Sequence, residues 1–220
     1  MSDFPIDYEA DYVEPRSRLT TFFRMIMVIP IYIVAIVYSI AVFFTWLAAW
    51  IAVFVTGRYP DGLYRFNAGF IQFSTRWLAY YHLVTDDYPP FGIGPDDSYP
   101  VRVQIAPPKE KYGRLHAFFR WITVIPSAIV AWALLLVAGL CSIVSWFAIV
   151  FTGKQMQSMQ DLINMGIGYQ AKYSGYAFLL HEEWFPPISE DASSSGGAIG
   201  SGGPPAQSPT SSSSGSSTFQ

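Results

Sequence analysis

The chain has 220 residues, of which 51% are hydrophobic, 17% aromatic and only 13% charged, about half the charged share of a soluble domain. All 13 Lys and Arg residues lie outside two uncharged, almost wholly apolar windows at 25–57 and 121–153, which marks an integral membrane protein rather than a soluble domain. The net charge of −3 leaves no basic patch for nucleic acid. The single cysteine, Cys141, excludes a disulfide framework or multi-cysteine metal site within the chain and suits an apolar filler.

At the N terminus, Asp3, Asp7, Glu9, Asp11 and Glu14 stand without a basic residue before Arg16. A secretory signal peptide needs a positive n-region, so the apolar windows themselves are expected to be the targeting signal. Residues 5–10 read as a short extended segment. The first window follows Arg16, Arg18 and Arg24 and precedes Arg58, Arg65 and Arg76. An unbroken helix over 25–55 would be about 46 Å long, too long for one upright crossing of a core about 30 Å thick. Two architectures stay open. In one, residues 19–38 and 41–55 form a helical hairpin with its tip near Ser39 and Ile40. In the other, each window is a single long helix kinked at Pro30 or Pro126. Basic residues at both ends of both windows favour an even number of crossings, with cytoplasmic termini.

After the window comes an amphipathic stretch. At 100° per residue, Asp61, Arg65, Gly69, Gln72 and Arg76 share one stripe, with Leu63, Phe66, Phe70, Phe73, Trp77 and Tyr81 opposite. Cationic groups facing an aromatic stripe predict a helix lying at the membrane interface. The turn-rich segment 92–98 is a linker. The chain then repeats itself 96 positions on. Arg18-Leu19-Thr20-Thr21-Phe22-Phe23-Arg24 returns as Arg114-Leu115-His116-Ala117-Phe118-Phe119-Arg120, Val28-Ile29-Pro30 as Val124-Ile125-Pro126, Trp50 as Trp146, and Tyr80 as Tyr176. Residues 100–105 resemble 5–10. In the second copy the hairpin tip would fall near Leu136 to Gly139, and Asp161, Gly168 and Lys172 mark the polar stripe, with Leu162, Tyr169 and Tyr173 opposite. The domains are therefore repeat 1 at 4–91, the linker, repeat 2 at 99–188, and a Ser/Gly/Pro-rich tail at 189–220, expected to be disordered.

The order Arg-Leu-x-x-Phe-Phe-Arg, Ile-Pro, a long apolar run, Thr56-Gly57-Arg58-Tyr59-Pro60-Asp61-Gly62-Leu63, a polar-aromatic helix and Asp86-Asp87-Tyr88-Pro89-Pro90-Phe91 resembles the bacterial, largely actinobacterial, membrane family known as domain of unknown function 4389, in two tandem copies. The second copy departs at Gln155-Met156-Gln157-Ser158. The resemblance implies a multi-pass membrane protein and brings no activity, substrate or cofactor.

Catalytic signatures are scarce. There is no His-Glu-x-x-His, Gly-x-Ser-x-Gly, P-loop or Gly-x-Gly-x-x-Gly. His181-Glu182-Glu183 offers metal-ligating types, but His82 and His181 do not align in the repeat. The aligned pairs Asp86-Asp87 and Glu182-Glu183 read as solvated charges. No charge lies inside either window, which speaks against an ion-coupled transporter. The sequence thus predicts an all-α, multi-pass cell-membrane protein, not an enzyme, with no catalytic residue, metal or cofactor. Its expected role is a scaffold or accessory subunit of a membrane complex. A lipid-binding or lipid-transport role in the cleft between repeats is the alternative. Membrane lipids are the expected partners, with other membrane proteins or a second copy besides. Candidate headgroup contacts are Arg24, Arg58, Arg65, Arg76, Arg120, Lys154 and Lys172.

Overall fold

The computed structural model describes residues 4–12 and 16–184; the tail 189–220 and the end of repeat 2 lie outside the described residues. The elements are β1 (Ile6–Ala10), α1 (Arg18–Thr56), α2 (Asp61–Tyr81), β2 (Val101–Ile105), α3 (Arg114–Thr152) and α4 (Gln157–Ala177).

Each apolar window lies within one continuous helix of 39 residues, about 58 Å long. This corrects the hairpin: neither Ser39-Ile40 nor the stretch from Leu136 to Gly139 turns the chain. The reason is local. Apolar residues carry the run, and the Ser39 hydroxyl donates to Ala35 O at 2.7 Å within the helix instead of breaking it. Pro30 and Pro126 sit inside α1 and α3 on exposed positions, and the helix continues past both. Termination comes at Gly57 and Gly153, with φ of 71° and 76°, the left-handed conformation that glycine adopts without steric cost.

Both long helices are long and apolar enough to cross a membrane, and only 22% of the apolar window in each is buried. A helix at the centre of a soluble core would be mostly covered. The buried side of α1 is one stripe, Thr21, Arg24, Val28, Ile31, Ala35, Val42, Ala49 and Val53; the rest of its circumference points outward.

The two long helices run antiparallel. The Trp50 indole donates to Ala117 O and the Trp146 indole to Thr21 O, both at 3.1 Å. These bonds are the same contact made twice, because Trp146 and Ala117 stand 96 positions after Trp50 and Thr21. The repeats are thus related by a pseudo-twofold axis perpendicular to the helices. Each long helix carries its short partner antiparallel upon it. Thr45 bonds Asn67 at 2.7 Å, Tyr38 meets Phe73 edge-on at 5.1 Å and Tyr80 reaches Met27.

The extended segments expected at 5–10 and 100–105 become β1 and β2, and they pair with each other. The antiparallel register runs from Ile6 opposite Ile105 to Ala10 opposite Val101, centred on Tyr8 and Val103. Among the described residues this ribbon is the one departure from the expected all-α fold. β1 packs on α4 and β2 on α2, so α2 and α4 form a middle layer between the long helices and the ribbon.

That placement corrects the interfacial helices. Gln72 and Arg76 of the polar stripe are buried, donating to Val103 O at 3.0 Å and Gly92 O at 2.8 Å. In α4, Gly168 lies under Tyr8 and Lys172 sits over the Phe4 ring at 5.6 Å. Gly69, Gln72 and Arg76 of the α2 stripe face the ribbon and the 92–98 linker, Asp61 and Arg65 stay exposed, and Phe73 is wholly buried against α1. Amphipathicity here marks a helix covered on both sides.

Candidate functional site

Two clefts open between the repeats, and the pseudo-twofold axis exchanges them. One, of about 440 Å³, is lined by Phe43, Trp46, Trp50, Trp121, Phe178 and Arg120, among others. The second, of about 510 Å³, is lined by Met25, Val28, Leu140, Trp146, His82 and Arg24, among others. Both are overwhelmingly apolar, and each contains one buried arginine.

These arginines are held alike. Arg24 donates to Tyr80 O and to Thr85 O at 2.9 Å, and its guanidinium lies 4.4 Å over the Tyr80 ring. Arg120 donates to Tyr176 O at 2.5 Å and His181 O at 2.8 Å, and lies 4.3 Å over the Tyr176 ring. Cation–π contact of this kind is strongest where water is excluded. The carbonyls are turned inward by Leu83 and Leu179, which follow α2 and α4 with φ of 65° and 61°. A left-handed leucine costs about 1–2 kcal/mol, and the same strained turn occurs in both copies where the chain bends around the guanidinium.

The charges around the two arginines differ. Arg24 forms an ion pair with Asp86 at 2.6 Å, and Asp86 also accepts from Ser17 N at 2.8 Å at the start of α1. Its counterpart Glu182 accepts from Gly113 N at 2.6 Å at the start of α3 and lies 3.9 Å from Lys109. Both carboxylates thus sit at a helix N-terminus, where the helix dipole favours them, which corrects their reading as merely solvated charges. Among the described residues, Arg120 meets no carboxylate within ion-pair distance, Glu182 acting on it only from farther off; the Nε of both arginines is without a hydrogen-bond partner.

The headgroup candidates therefore divide. Arg58, Arg65 and Lys154 are exposed. Arg24, Arg76, Arg120 and Lys172 are buried to 4% exposure or less and make internal contacts, and of these Arg24 and Arg120 line the two clefts. His82 and His181 are internal too. His82 Nδ1 meets Ser142 Oγ at 2.9 Å, and His181 Nε2 meets Lys172 O at 3.2 Å. Burial lowers both pKa values to about 4, with the positive charge of Arg120 adding to the effect on His181. Among the described residues no three His, Cys, Asp or Glu come together to hold a metal.

The sequence pointed to Arg24 and Arg120 but not to their partners. The repeat itself held the signal for Tyr80 and Tyr176, which align. The indole contacts across the repeats, Trp46 to Ala177 O at 3.0 Å and Trp50 to Ala117 O, had none, because nothing local specifies antiparallel packing.

No curated protein and no solved structure matches the chain. The model of the family described as Domain of unknown function (DUF4389) matches residues 18–92 and again 114–189. Those segments hold each long helix, its short partner and the turn that encloses the arginine, and the chain belongs to this family in two tandem copies.

Proposed function

We propose that this is a non-enzymatic membrane protein that holds an anionic acyl-chain lipid in the cleft between its repeats. The observation that carries the reading is the Arg120 cleft, an apolar wall with one buried guanidinium that, among the described residues, has no carboxylate within ion-pair distance. An acyl chain suits the tryptophan and phenylalanine lining. A headgroup carboxylate or phosphate at Arg120 would gain a charge-assisted hydrogen bond in a site of low dielectric. The volume falls within the range of ligand pockets. The Arg24 cleft, already neutralised by Asp86, suits an uncharged chain. The broad outward-facing apolar surface of α1 and α3 supports a membrane location. The polar groups at the clefts are tied into the fold, Ser39 to Ala35 O and Ser142 to Ala138 O at 2.7 Å each, which supports a binding role over a catalytic one.

Native mass spectrometry of the full chain in mild detergent tests this. One anionic lipid should be retained, lost in Ser39→Trp, which fills the Arg120 cleft, and kept in Gly139→Trp, which fills the other. Retention of no lipid, or of the same lipid in Ser39→Trp, overturns the reading. The scaffold or accessory-subunit role rests instead on the breadth of the exposed apolar face. Crosslinking in membranes that recovers no stable partner removes it.

A further inference from the structure

We infer that this protein does not span the bilayer but lies flat in one leaflet, with α1 and α3 in the membrane plane and the β ribbon facing water. The inference rests on the membrane location proposed above and is independent of any lipid in the clefts.

The pseudo-twofold axis decides the orientation. It is perpendicular to the long helices and passes through the ribbon at the Tyr8–Val103 pair, the centre of the register. The ribbon therefore lies at the midpoint of the helices' length. Tyr8 packs on Gly168 and Gln72 holds Val103 O, both near the middle of their own helices. If α1 and α3 stood upright, the axis would lie in the bilayer midplane and so would the ribbon.

The ribbon cannot reside there. Asp7, Glu9 and Arg102 alternate with the buried Ile6, Tyr8, Val101 and Val103 and so point away from the helices. Arg102 pairs with Glu9 at 3.7 Å and Asp11 at 3.1 Å, and the side chains of Glu9 and Asp11 keep 43% and 45% exposure. Each such charge is costly at the bilayer centre. A two-stranded ribbon also has an edge on each strand whose backbone groups need water or a side chain, and open sheet edges do not occur in hydrocarbon.

Lying flat removes every conflict. A helix about 58 Å long need not fit a core about 30 Å thick. Phe22, Ile33, Phe44 and Val55, evenly spaced along α1, are 57%, 57%, 63% and 62% exposed; Phe118, Ile129, Leu140 and Phe151 repeat the pattern along α3 at 52%, 62%, 58% and 74%. The apolar face is as open at the ends as in the middle, as a face laid along a leaflet would be. The exposed Arg18 lies beside Gly153, next to Lys154, at one end of the plate, and the exposed Arg114 beside Gly57, next to Arg58, at the other. Basic residues at both ends suit a single anionic leaflet. The same pattern read from sequence alone suggested an even number of crossings; none is needed.

The test uses the full chain carrying Cys141→Ala. Nitroxides are placed singly at Phe22→Cys, Ile33→Cys, Phe44→Cys and Val55→Cys in vesicles containing phosphatidylglycerol, and their depth is read by EPR power saturation. Arg18→Cys and Arg58→Cys are probed in cells with a membrane-impermeant maleimide. The expected result is one shallow depth at all four positions, about 5–10 Å into the headgroup–acyl boundary, and labelling of Arg18→Cys and Arg58→Cys from the same side. A profile deepest at Ile33 and Phe44, labelling from opposite sides, or a protein whose apolar face is buried against a second copy without bilayer contact would each overturn it.

Discussion

His82 and His181 report on how tightly the layers close. Both are neutral inside the fold, their pKa values lowered by burial to about 4 from an unfolded value near 6.5. On acidification the unfolded chain takes up these protons first. Stability is therefore full above about pH 6.5 and declines as pH falls towards 4, by up to about 1.4 kcal/mol per pH unit for each histidine. Thermal midpoints in detergent at pH 7.5, 6 and 4.5 should show this decline. His82→Phe, the residue that repeat 2 carries as Phe178, should reduce the slope by roughly half between pH 6 and 4.5. An unchanged slope would mean that His82 is hydrated. The role of these histidines was not legible in the sequence, since burial is set by neighbours far along the chain, such as Ser142 above His82.

Among the elements, the two helix pairs differ in how closely they approach. Gly166 of α4 lies so near α3 that an added Cβ would stand 2.9 Å from Leu134 O and 3.1 Å from the Ala138 Cβ, the small-residue contact that lets backbones meet. Its counterpart in α2 is Phe70, which holds α1 farther off. Gly166→Ala should therefore destabilise by about 1–3 kcal/mol, because backbone cannot yield as a flexible side chain does. Gly139→Ala, whose Cβ would meet nothing within 4 Å, should be neutral or stabilise by up to about 1 kcal/mol through helix propensity. Chemical denaturation of the two variants side by side checks both signs. The helices themselves were largely legible, as the apolar windows and the further helix after each. The absence of a turn at Ser39 is not legible, because a window of intermediate length fits one long helix as well as two short ones, and only its neighbours decide which.

At the scale of the whole molecule, the repeats are interlocked. β1 pairs with β2, Tyr112 N donates to Gly57 O at 2.9 Å, and Arg16 reaches both Val84 O at 2.6 Å and Gln160 at 2.8 Å. Splitting the chain within 92–98 should give halves that copurify when coexpressed. Either half alone should fail to form a folded monomer, with β1 or β2 unpaired and one wall of each cleft missing. Light scattering in detergent that finds a monodisperse, helical single repeat would count against this interlocking.

The sequence by itself determined the apolar windows, their duplication 96 positions apart, the family and the lack of charge within those windows. These are properties of composition and period, which need no partner to be read. Tertiary structure alone decided that the repeats face each other antiparallel, that α2 and α4 are covered on both sides, and that Arg24 and Arg120 are enclosed while Arg58 and Lys154 stay outside. It also placed a charged ribbon on the symmetry axis. The physical reason is that each of these depends on which surfaces meet, and residues as distant as Thr21 and Trp146 are brought together by the burial of a shared face that no local pattern encodes.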